Sequence, residues 1–180
     1  MVDAAGEGER WALADLFRAY HPTLIRYLRS QDPRMADDLA GDVWVAVAQR
    51  LGQFVGNENG FRRWLFTIAR CTLIEHWRKE ARRRTHPVAQ DRLDISDDPD
   101  GRRDPAVLVA ERLSAQAAID EAVKRLSRDQ AEALLLRVVV GLDVAEVASI
   151  MSRSPASVRV LCHRALRRLA RRLTKGVLVR

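Results

Sequence analysis

The chain has 180 residues and carries 31 lysines and arginines against 24 aspartates and glutamates, for a formal net charge of +7 at neutral pH. This length allows one ordinary domain or two small helical ones, and the basic balance favours nucleic acid as a polyanionic partner. No run approaches the roughly 18 consecutive apolar residues of a membrane-spanning helix, and the polar start from Met1 to Arg10 has no apolar signal segment, so we expect a cytoplasmic protein.

Helical periodicity runs through the chain, and no alternating apolar and polar run is flanked by hairpin turns, so the sequence predicts an all-α fold. The first helix has Pro22 near its middle, where we expect a break or a bend. Its core-facing residues recur at helical spacing: Leu13, Leu16, Phe17, Tyr20, Leu24, Tyr27 and Leu28.

A second helix is predicted to start at Asp32-Pro33, an N-cap acid before a proline at the first helical position, and to run to about Leu51. One stripe of this helix is apolar and predicts a core contact: Met35, Leu39, Val43, Ala46 and Val47. The second stripe is mixed: Asp38, Asp42, Val45 and Gln49. It is either a partner-binding surface or the solvated side of an ordinary helix.

A loop from Gly52 to Gly60, with Asn57 and Asn59, precedes a helix predicted from Phe61 to about Arg84. At 1.5 Å per residue this helix would be roughly 36 Å long. One face predicts a core contact: Phe61, Trp64, Leu65, Ile68 and Thr72. The other face mixes arginines with aromatic and small side chains: Arg63, Phe66, Thr67, Arg70, Ile74, Trp77, Arg78 and Ala81.

Arginines interleaved with aromatics suit single-stranded nucleic acid, because guanidinium groups neutralise phosphates and aromatic rings stack on unpaired bases. The alternative is that Phe66 and Trp77 pack on another helix of the same domain. We favour that alternative for Phe66 and nucleic-acid contact for the arginines.

The periodicity lapses between about Thr85 and Arg112, a stretch that contains three prolines and six aspartates. This predicts an acidic linker at 85–112 between two small helical domains, at 10–84 and 113–175. The linker is either a solvated spacer or a segment with contacts of its own.

The second domain is predicted to contain four helices. Apolar residues mark the first two: Leu113, Ile119, Val123 and Leu126, then Ala131, Leu134, Leu135 and Val138, with an end near Gly141. A short helix from Val144 to Met151 follows. After a turn at Ser152-Arg153, Ser154 caps the last helix and Pro155 takes its first position.

These last two helices have the pattern of a helix-turn-helix, whose second helix enters the major groove. The inward residues of that helix are Val158, Leu161, Cys162, Ala165 and Leu169. The candidates for DNA contact are Ser154, Ser157, Arg159, Val160, His163, Arg164 and Arg167. We expect Arg159 to read guanine, and the absence of any acidic residue after Arg153 favours DNA contact.

Cys71 and Cys162 lack CxxC or Cys/His ligand spacing, so we expect neither a disulfide nor a zinc site and interpret both as small buried residues. No glycine-rich phosphate loop and no pairing of a nucleophile with a base is recognisable. The sequence therefore predicts no catalytic residue, no metal and no cofactor.

Three segments together resemble the extracytoplasmic-function sigma factors of the sigma-70 family, from about Trp11 to Leu173. Ala36-Asp37-Asp38-Leu39-Ala40-Gly41-Asp42-Val43-Trp44 is similar to the family's polymerase-binding segment. Trp64-Leu65-Phe66-Thr67-Ile68-Ala69-Arg70 is similar to its minus-ten-reading helix. Glu146-Val147-Ala148, Ser157-Val158-Arg159 and Arg164-Ala165 are similar to its minus-thirty-five reader.

The resemblance implies a non-enzymatic initiation factor that binds core RNA polymerase through its beta and beta-prime subunits, selects promoters and helps to open them. The implied polymerase-binding residues are Asp38, Leu39, Asp42, Val45 and Gln49. The implied minus-ten contacts are Asn57, Asn59, Arg63, Thr67, Arg70, Cys71, Ile74, Trp77 and Arg78. The resemblance also implies that the linker threads towards the polymerase cleft and that an anti-sigma protein holds the factor inactive.

The chain departs from the family pattern at four places. The family often has Gln where this chain has Gly41, Asn where it has Cys71, Pro where it has Ser127, and Gly-Thr where it has Ala156-Ser157. These departures bear on promoter preference. Two other hypotheses stay open on the residues alone: a helix-turn-helix regulator that binds duplex DNA by itself as a dimer, and a nucleic-acid enzyme.

Overall fold

The computed structural model describes residues 2–7, 9–85 and 126–177, which contain seven α-helices, a short 3-10 turn and no strand. The helices are α1 (Val2–Gly6), α2 (Arg10–Gln31), α3 (Ala36–Arg50), α4 (Glu58–Thr85), α5 (Arg128–Val138), α6 (Val144–Met151) and α7 (Pro155–Val177), with the 3-10 turn at Leu51–Gln53. The all-α prediction is confirmed. The linker beyond Thr85 and the helix predicted from Leu113 lie outside the described residues.

We call α1 to α4 the N-terminal unit. Helices α2, α3 and α4 pack on one another, and α1 packs on α2 and the 3-10 turn. The core is built from side chains with no exposed area, among them Leu16, Leu24, Tyr27, Leu28, Val43, Phe61, Leu65, Phe66 and Leu73. Phe66 meets Tyr27 edge to face at a centroid distance of 5.5 Å, so it packs inside the protein as the sequence favoured.

Helix α2 continues through Pro22 from Arg10 to Gln31, so the expected break does not occur. Pro22 is exposed, while Leu16 before it and Leu24 after it are fully buried. A proline on the solvent side removes one helical hydrogen bond, and burial on either side of it keeps the helix continuous.

Helix α3 begins at Ala36, after a turn at 33–35, and the predicted start at Asp32-Pro33 is wrong. Asp32 instead closes α2, because its backbone N–H donates to the Leu28 carbonyl at 2.8 Å. Its carboxylate lies 3.3 Å from His76 Nε2 on α4. Asp32 therefore ends one helix instead of starting the next.

We call α5 to α7 the C-terminal unit. Each of its helices has a side-chain N-cap: Ser127 accepts from the Gln130 N–H, Asp143 from the Glu146 N–H and Ser154 from the Ser157 N–H. Leu136, Leu142, Val147, Val158 and Ala165 are fully buried between the helices. Val138, one of the apolar residues that mark α5 in the sequence, is 69% exposed.

The two units are in contact: α2 touches α5, and α4 touches α6. Their buried residues form one continuous cluster. Within the described ranges, no helix is long and apolar enough to cross a membrane.

Candidate nucleic-acid interface

Helix α7 presents a basic surface on the side away from its core contacts. Arg159, Val160, His163, Arg164 and Arg167 are all exposed, as sequence reasoning placed them, whereas Val158 and Ala165 are fully buried. Nine lysines and arginines and no acidic residue follow from Arg153 to the end of the chain. The arrangement suits a polyanion, because Arg159, Arg164 and Arg167 are all exposed along α7.

The start of α7 is fixed by two serines. Ser154 Oγ accepts from the Ser157 N–H at 3.2 Å and lies 2.9 Å from Ser157 Oγ. The Ser157 hydroxyl therefore takes part in the cap. Ser154 is exposed and Ser157 is half-buried. Ala156, next to them, is exposed on the same surface.

The turn before α7 sets its direction relative to α6. Ser152 has a φ of 52°, and the Arg153 N–H donates to the Ala148 carbonyl at 2.9 Å. The Arg153 guanidinium also pairs with Asp129 on α5. This tight, tied turn matches the helix-turn-helix predicted from the sequence.

Helix α4 carries the predicted minus-ten contacts on more than one side. Arg63, Cys71 and Arg78 are exposed, and Ile74 is half-buried. Thr67 is half-buried, and its hydroxyl donates to the Arg63 carbonyl at 2.8 Å. The exposure of Cys71 shows that the expectation of a buried cysteine is wrong there; Cys162 is half-buried.

Arg70 and Trp77 face the C-terminal unit. Arg70 Nε donates to Glu132 Oε1 at 2.6 Å. The guanidinium carbon of Arg128 lies 3.8 Å from the centroid of the Trp77 ring. Sequence reasoning missed both Glu132 and Arg128, because nothing in their local pattern shows that α5 lies against α4.

The loop before α4 places its two asparagines at the helix start. Asn57 Oδ1 accepts from the Gly60 N–H at 3.0 Å and caps α4, which begins at Glu58 and not at Phe61. Asn59 Oδ1 accepts from Arg62 Nη2 at 3.3 Å. Both asparagines are exposed, so these hydrogen bonds leave part of each side chain accessible.

The mixed stripe of α3 lies on the surface, and Leu39, the fifth implied polymerase contact, belongs to the neighbouring apolar stripe. Asp38, Asp42, Val45 and Gln49 are exposed, whereas Leu39 is 3% exposed and supports the stripe from the core. A Cβ at Gly41 would meet no atom within 4 Å, so packing does not require a glycine there.

A groove of about 450 Å³ separates this stripe from α4. Asp38 and Asp42 line one wall, and Thr67 and Cys71 line the other. The structure therefore brings part of the predicted polymerase-binding stripe next to part of the predicted minus-ten surface. Sequence reasoning missed Arg50, His76 and Lys79, which also line the groove. Among the residues described, no group of histidine, cysteine, aspartate and glutamate side chains could hold a metal ion.

Two family models match the chain: Sigma-70 region 2 over residues 16–83, and Sigma-70, region 4 over residues 116–169. The ECF RNA polymerase sigma factor BldN of Streptomyces coelicolor is 35% identical over 175 residues, which are 96% of this chain and 64% of BldN. The ECF RNA polymerase sigma factor ShbA of Streptomyces griseus is 35% identical over 179 residues, 94% of this chain and 91% of ShbA.

The fold is also similar to a solved structure. The sigma factor RpoE, solved in complex with the anti-sigma factor NepR from Bartonella quintana, superposes with a TM-score of 0.64 and 23% identity. The match covers 89% of this chain and 97% of RpoE. At this identity the likeness concerns the fold.

Proposed function

Because the chain belongs to the extracytoplasmic-function sigma factors of the sigma-70 family, alternative sigma factors that direct RNA polymerase to promoters, we propose how its parts share that work. The domain at 10–84 binds core polymerase and opens the minus-ten element. The domain at 113–175 reads the minus-thirty-five element. Residues 85–112 connect them.

The exposed basic side of α7 is the observation that carries this proposal. Arg159 lies near the capped start of the helix, the end that a recognition helix inserts into the major groove, where arginine pairs with guanine O6 and N7. Arg164 and Arg167 lie further along and suit phosphate contacts. Ser154, Ser157, Val160 and His163 complete the reading surface.

The minus-ten strand binds α4 and the loop before it. Arg63 and Arg78 neutralise phosphates, Ile74 and Trp77 contact bases, and Asn57 and Asn59 bind bases flipped from the duplex. Flipping costs a few kcal/mol of unstacking, which these contacts offset. Thr67, Arg70 and Cys71 complete the surface, and a thiol at Cys71 changes the base preference there.

Core polymerase binds the mixed stripe of α3. The exposed carboxylates Asp38 and Asp42 suit a basic partner surface, and Val45 and Gln49 extend the contact along the helix. The buried side chain of Leu39 keeps the stripe in position.

Two further parts of the proposal rest on the family. The acidic linker threads towards the polymerase cleft, where its carboxylates mimic nucleic acid among basic walls. An anti-sigma protein holds the factor inactive, as RpoE is bound by NepR in its solved complex. The protein acts in the cytoplasm, together with polymerase.

A stand-alone helix-turn-helix regulator is the competing function, and open-complex formation separates the two. We would probe promoter fragments with permanganate in the presence of core polymerase, of this protein, or of both. The proposal expects reactive thymines near minus ten only when both are present. Nanomolar binding of a specific duplex by the protein alone, with no permanganate reactivity when core is added, would show that the regulator hypothesis is correct.

A further inference from the structure

One side of α4 is covered by the C-terminal unit at three points. Near its start, a Cβ on Gly141 would lie 3.9 Å from Arg62 Nη1. In the middle, Arg70 pairs with Glu132 at 2.6 Å, and towards the end Arg128 lies over Trp77 at 3.8 Å. These three α4 residues are eight and seven positions apart, which places them on one helix face.

The packing of α5 does not require a buried glutamate at position 132. Glu132 is 4% exposed and is the only buried charged residue in the part of the chain that the structure describes. Its neighbours on α5, Ala131, Ala133 and Leu135, are apolar. A buried carboxylate is costly unless it is paired, and an apolar side chain of similar size serves packing as well or better.

The surroundings of Glu132 are polar but incompletely satisfied. Burial raises the pKa of the Glu132 carboxyl, and the Arg70 guanidinium opposes that rise. The Tyr27 hydroxyl faces this pair from α2; burial raises its pKa, and the Glu132 charge raises it further. Tyr27 Oη beside this pair, and Arg62 Nε at the Gly141 end of the contact, are buried without a hydrogen-bond partner among the described residues. A permanent interface usually satisfies its buried polar groups, so these features favour a contact that separates.

We propose that the Arg70–Glu132 ion pair is an autoinhibitory contact that holds the two units closed and keeps Arg70 and Trp77 from the minus-ten strand. The inference rests on the proposed function of α4. Glu132 takes the place that a phosphate would take beside Arg70, whose side chain is only 20% exposed. Arg128 likewise covers the Trp77 ring on which a base would stack. Promoter binding therefore requires the ion pair to break and the units to move apart.

A charge reversal tests the contact on the full chain. Glu132→Lys places two cations together, so the units should separate. Exchanging the charges in Arg70→Glu with Glu132→Arg restores the pair and should close them again, which a variant that merely misfolds would not do. Spin labels at Glu7→Cys and Val138→Cys, both exposed, would report the distance between the units in a Cys71→Ser, Cys162→Ala background.

We expect a single short distance for the parent and for the exchanged pair, and a longer, broader distribution for Glu132→Lys. The second measurement is the affinity for a fluorescent single-stranded DNA of mixed sequence. If the open form is a minor population, Glu132→Lys should bind about tenfold more tightly or better. Glu7→Lys makes the same change in net charge far from the contact and is the control.

An unchanged distance distribution in Glu132→Lys would overturn the proposal. So would an open distribution with no gain in DNA affinity over Glu7→Lys, because α4 would then not be withheld by closure. Adding Arg63→Ala and Arg78→Ala to the open variant tests the function of α4 separately. If affinity does not fall, the assignment of α4 to the minus-ten strand is wrong, whatever the distance shows.

Discussion

Asp38 and Asp42 are the side chains on which the proposed polymerase contact depends most. Both are exposed and line one wall of the groove beside α4. Asp38→Arg with Asp42→Arg would set like charges against a basic partner, which costs several kcal/mol, so affinity for core polymerase should fall by more than about 100-fold. Pull-down with core polymerase and a helicity measurement check this.

The matched control is Glu7→Arg with Glu9→Arg, which makes the same change in net charge at exposed positions outside α3. It should leave polymerase binding within a few fold of the parent. Equal binding by the two double variants would show that the stripe of α3 is not the interface.

Arg159 and Arg167 lie on the same exposed side of α7 and should behave differently. Loss of a bidentate contact to guanine costs about 1–3 kcal/mol, so Arg159→Ala should weaken binding to the minus-thirty-five duplex about 5-fold to 150-fold and relax its sequence preference. Arg167→Ala should weaken all sequences alike and lower the salt dependence by about one unit of slope. Both effects are measured as holoenzyme affinity for a set of duplexes that differ by single base pairs. If the two variants lose affinity in the same way across this set, Arg159 and Arg167 do not have different roles.

Glu132 makes the stability of the protein depend on pH. Its pKa in the folded protein is raised above the ordinary 4.5 by burial, opposed by Arg70 and Arg153 and aided by Asp129. The folded state therefore holds the Glu132 proton more tightly than the unfolded state does. The contribution of this proton to the free energy of unfolding is complete below pH 4.5 and is lost as the pH rises through the raised pKa. Tyr27, which faces the group from α2, stays protonated throughout because its own pKa is raised.

Urea unfolding of the parent and of Glu132→Gln over this pH range checks the sign. Because glutamine does not titrate, the parent should lose stability relative to Glu132→Gln as pH rises from below 4.5 to neutral. If the difference in unfolding free energy between the parent and Glu132→Gln stays constant over this pH range, or if the parent becomes the more stable of the two as pH rises, Arg70 fully compensates the buried charge.

Sequence reasoning located the exposed residues of α7 and α3 because helical periodicity alone assigns the faces of a helix. It could not locate Glu132 in the same way. The burial of Glu132 depends on a contact with Arg70, 62 positions away in the chain, and no local pattern encodes that separation. Leu39 is an intermediate case, since its place in the apolar stripe predicted burial even though the family resemblance placed it among the polymerase contacts.

At the scale of elements, capping decides where the C-terminal helices start. Asp143 and Glu146 bond reciprocally at the start of α6, each side chain accepting from the other's backbone N–H at 2.8 Å. Asp143→Ala should cost about 1 kcal/mol of unfolding free energy. Ser149→Ala, an exposed change inside the same helix, should instead gain a few tenths of a kcal/mol. Chemical denaturation of both variants checks the opposite signs; equal effects would mean that the cap does not stabilise α6.

Two dipeptides in the sequence, Ser154-Pro155 and Asp32-Pro33, have the pattern of a helix start, and only the first of them starts the predicted helix. Ser154-Pro155 starts α7 as predicted, because the Ser154 side chain accepts from the Ser157 N–H. Asp32-Pro33 has the same N-cap and proline pattern but does not start α3. The Asp32 backbone N–H completes α2, and the Asp32 carboxylate lies next to His76 instead of capping a helix. Ser127, which departs from the family pattern, is explained in the same terms: it caps α5 in a box with Gln130.

At the scale of the whole molecule, the sequence predicted two helical units and could not predict that they touch. Each unit has the periodic apolar faces that build its own core. The contact between them combines buried apolar side chains with Arg70, Trp77, Arg128 and Glu132, polar or amphipathic side chains that sequence reasoning assigned to solvent or to DNA, or did not single out. A closed form and an open form of one chain can share every helix and differ only in such contacts.

The claim that this chain directs polymerase to promoters is tested most directly by mapping transcript 5′ ends made in vitro from genomic DNA by core polymerase, with and without the protein. We expect a new set of starts that appears only with the protein, each preceded at constant spacing by one shared pair of sequence elements. With Arg159→Ala, the starts should still require the protein, but the sequence of the upstream element should become less uniform. Identical 5′ ends with and without the protein would show that the protein does not direct polymerase to promoters.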